Sequence, residues 1–185
     1  MGKKIWANTL ALMVLVSTVA ACGAEEMNLQ LTENGLGNVD SGTDFTIEAV
    51  ADALPDFIVT KENAYSEGDP FQAIFVRDGE TLVARVFPRF EMTSIVGGIA
   101  VSDPRVSFKG RASIGDRFAD LDGAPVDCVA GLEERSGLAL CHDQEFPHVG
   151  MIFGGRWDGP DGELPPADVL GDFTLQELSW SAGVL

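Results

Sequence analysis

Asp78-Gly79 stands between two short runs rich in aliphatic and aromatic residues, Phe71 to Arg77 and Thr81 to Phe87. Asp-Gly in that setting marks a tight hairpin, because glycine supplies the positive φ that the turn needs. A hairpin makes its two strands antiparallel neighbours, which limits what the rest of the chain can build. Further runs extend the pattern. Phe57 to Thr60 reads as a first strand, Val106 to Phe108 as a short one, Val149 to Trp157 as a central one and Phe173 to Trp180 as a closing one. Within Thr93 to Val101, Gly97-Gly98 points to a bend or bulge, and Asp103-Pro104 makes a turn. Helical signals are fewer. Ile47, Val50, Ala51 and Leu54 form one apolar stripe after the capping residues Thr43 and Asp44, and Pro55 ends it. Ser113 to Asp116 leads into a short helix at Phe118 and Leu121, with Asp116 as its cap. Pro165 to Leu170 forms a helical turn. The expectation is an α+β domain: a mostly antiparallel, curved sheet of about six to eight strands with two or three short helices on one face.

The first 21 residues have a different character. Lys3 and Lys4 precede an apolar stretch whose uninterrupted core is Leu10 to Val16, and small residues close it. These are the marks of a secretory signal. Asn8, Thr9, Ser17 and Thr18 interrupt the stretch, which falls short of the roughly 20 apolar residues of a spanning helix. Val19-Ala20-Ala21-Cys22 resembles a bacterial lipobox. That resemblance implies cleavage before Cys22 and acylation of the cysteine with palmitate-type chains. Several such chains, at about 0.8 kcal/mol per buried methylene, hold a protein stably on a membrane. Gly23 rather than an acid follows, which by the enterobacterial sorting rule implies the outer membrane, with the protein facing the periplasm.

Cleavage takes 21 of 185 residues and leaves 164. It removes Lys3 and Lys4 and no acid, so 12 basic and 29 acidic residues become 10 and 29, a formal charge of −19. The length suits one domain, and 45% hydrophobic residues suffice for a core. The acidity argues against binding nucleic-acid phosphates and against electrostatic docking on anionic headgroups. Contact with the membrane is expected through the lipid alone. Residues 22–42 read as the lipidated cysteine and a flexible tether, being rich in Glu, Asn, Gly, Ser and Asp. Residues 43–185 read as a single globular domain.

With Cys22 lipidated, Cys128 and Cys141 remain as an even pair in an oxidising compartment, where a disulfide is expected. Apolar segments surround them, and the polar stretch Gly131 to Gly137 between reads as a hairpin loop. Twelve residues separate the pair, a loop whose closure stabilises by about 3 kcal/mol on the chain-entropy argument. The rival is a zinc site from Cys128, Cys141, His142 and His148. Adjacent Cys-His lacks the spacing that lets both ligands face one ion, and no metal or other cofactor is expected.

From about Thr43 to Trp180 the chain resembles a family of Gram-negative lipoproteins named for regulation by sigma-E (RpoE), the envelope-stress factor. The resemblance lies in Ala51-Asp52-Ala53-Leu54, in Ile114 to Leu121, in Cys128 and Cys141, in Ser179-Trp180, and above all in Phe153-Gly154-Gly155-Arg156-Trp157-Asp158-Gly159-Pro160-Asp161-Gly162-Glu163-Leu164-Pro165. It implies the fold and an envelope address. It implies no activity, since the family's domain is one of unknown function. The tail Ser181 to Leu185 and the acidity depart from the family's pattern.

The most suggestive chemistry is at Trp157, Asp158, Asp161 and Glu163, a possible binding loop. Clustered carboxylates on a Gly-bent loop suit calcium, but EF-hand spacing is absent and Pro160 with two glycines accounts for a tight turn. Trp157 fits a stacking platform, and fits core packing better. Ser136 and His148 supply a nucleophilic triad only on paper, and no Gly-x-Ser-x-Gly elbow occurs. Paired glycosidase-type carboxylates stay open, though with 29 acids some pair always lies close. Gly115 to Leu121 is read as a structural cap and not as a phosphate site, because Asp116 would repel an anion. A cationic partner for the acidic surface is a further reading. The leading expectation is a non-catalytic envelope lipoprotein that binds another envelope component in maintenance or stress response. The alternatives are a periplasmic lipid or small-ligand carrier and, behind it, a weak cell-wall hydrolase.

Overall fold

A computed structural model describes residues 29–109, 111–121 and 127–183. The signal segment and Cys22 lie outside the described residues. The chain begins with β1 (Gln30–Thr32) and β2 (Gly35–Leu36), then α1 (Ile47–Ala53). A meander follows: β3 (Ile58–Ser66), β4 (Asp69–Asp78), β5 (Thr81–Pro88) and β6 (Val96–Val101). The short β7 (Ser107–Phe108) and β8 (Ala112–Ser113) lead to the cysteine hairpin, β9 (Asp127–Ala130) and β10 (Leu138–His142). The last elements are β11 (Val149–Gly154), α2 (Ala167–Leu170) and β12 (Thr174–Ser181).

Two sheets result. The larger has eight strands in the order β3-β4-β5-β6-β12-β11-β10-β9, all antiparallel. The smaller has the order β2-β1-β7-β8, with β1 and β7 parallel. The expected α+β balance is therefore corrected. Twelve strands outweigh two α-helices of seven and four residues among the described residues, so the fold is sheet-dominated. The expected layer of helices on one face is largely replaced by the smaller sheet, whose Leu31, Leu36, Phe108 and Ala112 join one buried cluster with Val101, Met151, Leu178 and Trp180 of the larger.

The tether boundary moves too. Leu29, Leu31, Leu36 and Val39, all placed in the expected flexible spacer, are between 0% and 8% exposed. Four apolar side chains scattered among polar neighbours are enough to fix the segment, because each meets the core. The described part of that segment thus belongs to the domain. The α1 cap is Thr46, whose hydroxyl accepts from the Ala49 N–H at 3.1 Å, and not Thr43 or Asp44. Asp116 likewise caps no helix. Its carboxylate accepts from the Ser113 N–H at 2.7 Å and closes a turn ahead of a 3-10 segment, Phe118–Asp120.

The Asp78-Gly79 hairpin forms, with Gly79 at φ +59°. Gly97 sits at a register shift between β5 and β6, and a Cβ there would collide with the backbone of Arg89. The final strand, β12, does not close an edge. It inserts between β6 and β11 at the centre of the large sheet.

Candidate functional site

Side chains on a strand alternate between faces, and paired residues on neighbouring strands share a face. One face of the large sheet holds the main core. On the other, cross-strand pairing aligns Thr60, Phe75, Arg85, Ala100, Ser179, Gly150, His142 and Asp127 in one row. Ala73, Ala100 and Ile152 on this second face are buried, yet stand outside the main cluster. The floor of the face is made of small residues and its relief of aromatic and charged ones. Arg77 lies over the Phe75 ring and Arg85 near the Phe87 ring, while Phe71 and Phe87 pack at 6.0 Å between centroids. Glu177, with 16% of its side chain exposed, receives Arg85 at 2.7 Å and Arg135 at 3.6 Å.

Arg135 belongs to the β9–β10 loop, so that loop folds over the second face. Beside it, Glu134 accepts a hydrogen bond from the backbone N–H of Glu67, in the β3–β4 turn, at 2.8 Å. Strands β3 and β9 are the two edges of an eight-stranded sheet. With neighbours about 4.8 Å apart, a flat sheet would hold those edges about 34 Å from one another. The contact therefore requires a strong curl, with the β3–β4 arm and the β9–β10 loop meeting across the second face. At the other end of the face, the row Phe87, Gly98 and Ser181 borders an open cavity of about 640 Å³. The β5–β6 loop forms its rim with Arg89, Phe90, Glu91 and Met92.

The anticipated binding loop has a structural task. Trp157 is half-buried and packs on the core, and its indole N–H is shielded and finds no partner among the described residues. Gly159 lies against the indole so closely that a Cβ would collide with it. Asp161 accepts from the Ser136 hydroxyl at 2.6 Å, and Asp158 stands 3.8 Å from Arg156. Glu163 is exposed. The carboxylates point to separate partners, and among the described residues no three Asp, Glu, His or Cys side chains converge as a metal would require. The loop instead clamps the β9–β10 connection to the sheet.

Cys128 and Cys141 are register partners, and their sulfurs are bonded at 2.03 Å. That removes both from any zinc set; His142 faces Asp127 at 3.8 Å. Ser136 lies in the β9–β10 loop and His148 beside the start of β11, at opposite ends of the sheet, where the His148 Nδ1 meets the Ser181 carbonyl at 2.9 Å. No triad is assembled from them.

The second face was not foreseen as a site. Its signal in the sequence is faint: small residues (Ala73, Gly98, Ala100, Gly150, Ser179) at inward-outward positions of strands that do not adjoin in the chain.

Residues 18–182 match the family described as "Protein of unknown function (DUF1131)". The chain belongs to the DUF1131 family. A homologue, the protein named YfeY of Escherichia coli (strain K12), is 26% identical over 153 residues, covering 82% of this chain and 78% of the relative. The crystal structure of YfeY from Escherichia coli superposes with a TM-score of 0.66 at 22% identity, over 82% of this chain and 99% of that one. The sheet-dominated architecture is thus a DUF1131 fold. The expected membership of a family of unknown function stands.

Proposed function

We propose that this DUF1131 protein is a lipid-anchored envelope lipoprotein whose domain works as a non-catalytic binding module, in envelope maintenance or stress response. The observation that carries the reading is the second face of the large sheet. The β9–β10 loop reaches over one end of it, and beyond that loop it presents aromatic rings beside arginines and ends in an open cavity of about 640 Å³. Small residues on its floor leave room, and a curled sheet pre-forms the surface, so little ordering cost opposes binding. Support for the address comes from Lys3, Lys4, the Leu10 to Val16 core and Val19-Ala20-Ala21-Cys22. The family match starts at residue 18 and so includes that last run. The outer membrane is the proposed location, Cys22 the proposed lipidated residue, and another envelope protein the proposed partner. The sigma-E-type stress regulation implied by the family resemblance remains part of this proposal.

The test is cross-linking in living cells with the tagged, full-length protein, followed by mass spectrometry. Repeated capture of one envelope protein, weakened by Arg85→Ala on the second face, is the expected result. Capture that ignores changes on that face would overturn the assignment of the face. One observation favours a second reading, a lipid or small-ligand carrier: the cavity rim is apolar at Phe87, Phe90 and Met92. A lipid retained in native mass spectrometry would favour it.

A further inference from the structure

The β5–β6 loop carries the most exposed large apolar side chain among the described residues. Phe90 is 97% exposed and Met92 is 50% exposed, with Glu91 between them. Two apolar side chains standing free at a loop tip cost solvation without gaining packing, unless something covers them.

The length of chain ahead of the domain says what can cover them. Leu29 is buried, so the domain begins at that residue or before it. From Cys22 to Leu29 is seven residue steps, at most about 25 Å when fully extended. A lipid on Cys22 therefore holds the domain against the bilayer, not far above it. The loop lies within that reach. Its base is laced to the segment ahead of α1: the Phe45 N–H donates to Ser94 O at 2.8 Å and the Val96 N–H to Thr43 O at 2.9 Å. Helix α1, about 12 Å from cap to cap, connects this segment to Leu54, which with Leu29 flanks Gly37.

Charge selects this loop over a second cluster of exposed apolar side chains. Val129, Leu132 and Leu164 also stand out, but in the segments around them Glu133, Glu134, Asp158, Asp161 and Glu163 outnumber Arg135 and Arg156. Anionic lipids would repel that surface. Between Pro88 and Ile95 the only charges are Arg89 and Glu91, which cancel. An acidic domain can approach a bilayer where its local charge is zero and its side chains are apolar.

We propose that the β5–β6 loop seats Phe90 and Met92 in the headgroup boundary of the membrane that holds the Cys22 lipid, so that the neighbouring cavity opens at the membrane surface. The proposal rests on the lipid anchor proposed above. The test uses the full lipidated protein in vesicles of phosphatidylethanolamine and phosphatidylglycerol, some of whose acyl chains are brominated. A single environment-sensitive dye is attached through Glu91→Cys, which keeps Phe90 and Met92. The expected result is a blue-shifted emission that brominated lipid quenches, persists in high salt, and is lost when Phe90→Ser and Met92→Ser are added. A dye on Leu132→Cys is expected to stay unquenched. Protein that floats with the vesicles yet shows no quenching at position 91, or more at 132, overturns the loop assignment alone. Protein that lacks acyl chains by mass spectrometry and fails to float overturns the anchor, and the loop contact with it.

Discussion

A buried carboxylate has to be met by donors, and Asp103 is, at 2% exposure. Its Oδ1 accepts from the Arg105 backbone N–H at 2.9 Å, and the Arg105 guanidinium reaches Oδ2 at 2.7 Å. The guanidinium above all holds the Asp103 carboxyl below its ordinary value of 3.8, against the opposing effect of burial. Asp103 in turn, aided by Asp78, raises the hold of Arg105 on its proton. A depressed carboxylate gives its full stabilisation above the ordinary value and loses it as the pH falls through the lower, folded one. Asp103→Asn should therefore cost about 1–3 kcal/mol at neutral pH, and the gap to the parent should shrink below pH 3.8. Urea unfolding at a series of pH values checks both statements. A gap that widens in acid would contradict the pairing.

Among the elements, the β9–β10 hairpin joins two kinds of staple. Its disulfide ties an edge strand to its neighbour, and reduction should lower stability by about 3 kcal/mol, read as a fall in the urea midpoint with reductant present. Its loop carries Glu134, the acceptor for the Glu67 amide. Glu134→Ala should speed hydrogen exchange at that amide while leaving the amides of the β11 core strand protected, since the contact is exposed and local. The same elements show what the sequence reveals. Asp78-Gly79 is legible because a turn-specific dipeptide lies between alternating runs. Glu67-Gly68 escapes notice: Glu67 adopts φ +51°, an uncommon conformation for glutamate, and the strand that leads into it, β3, is mostly polar. The Leu29 to Val39 segment is misread as a tether because its burial depends on partners far along the chain, and composition cannot register that. The cysteine pair is legible from its flanks. The second face is not, since it exists only once β4, β5, β6, β12 and β11 lie side by side.

At the scale of the whole molecule, alternation along Phe173 to Trp180 announces a strand but not its neighbours. Its place between β6 and β11 makes β12 the bond between the β3–β6 meander and the β9–β11 half, through an antiparallel ladder on each of its two sides. Its Leu175, Leu178 and Trp180 are all buried, and the Trp180 indole N–H donates to the Glu33 carbonyl, fastening the small sheet as well. A chain ended at residue 173 should lose the cooperative unfolding transition altogether, not merely a few kcal/mol. Circular dichroism through a thermal ramp, with the intact chain beside it, is the check. A sharp transition in the shortened chain would show that the two halves hold without their shared strand.

The same central strand bears on when the fold can be completed. The strand that unites the structure, β12, follows both halves along the chain, so a chain made from its N-terminus has only separate, incomplete half-sheets until β12 has been added. The order of strands thus delays completion of the fold without any chaperone being invoked. The finished sheet forms once, when its middle finally arrives.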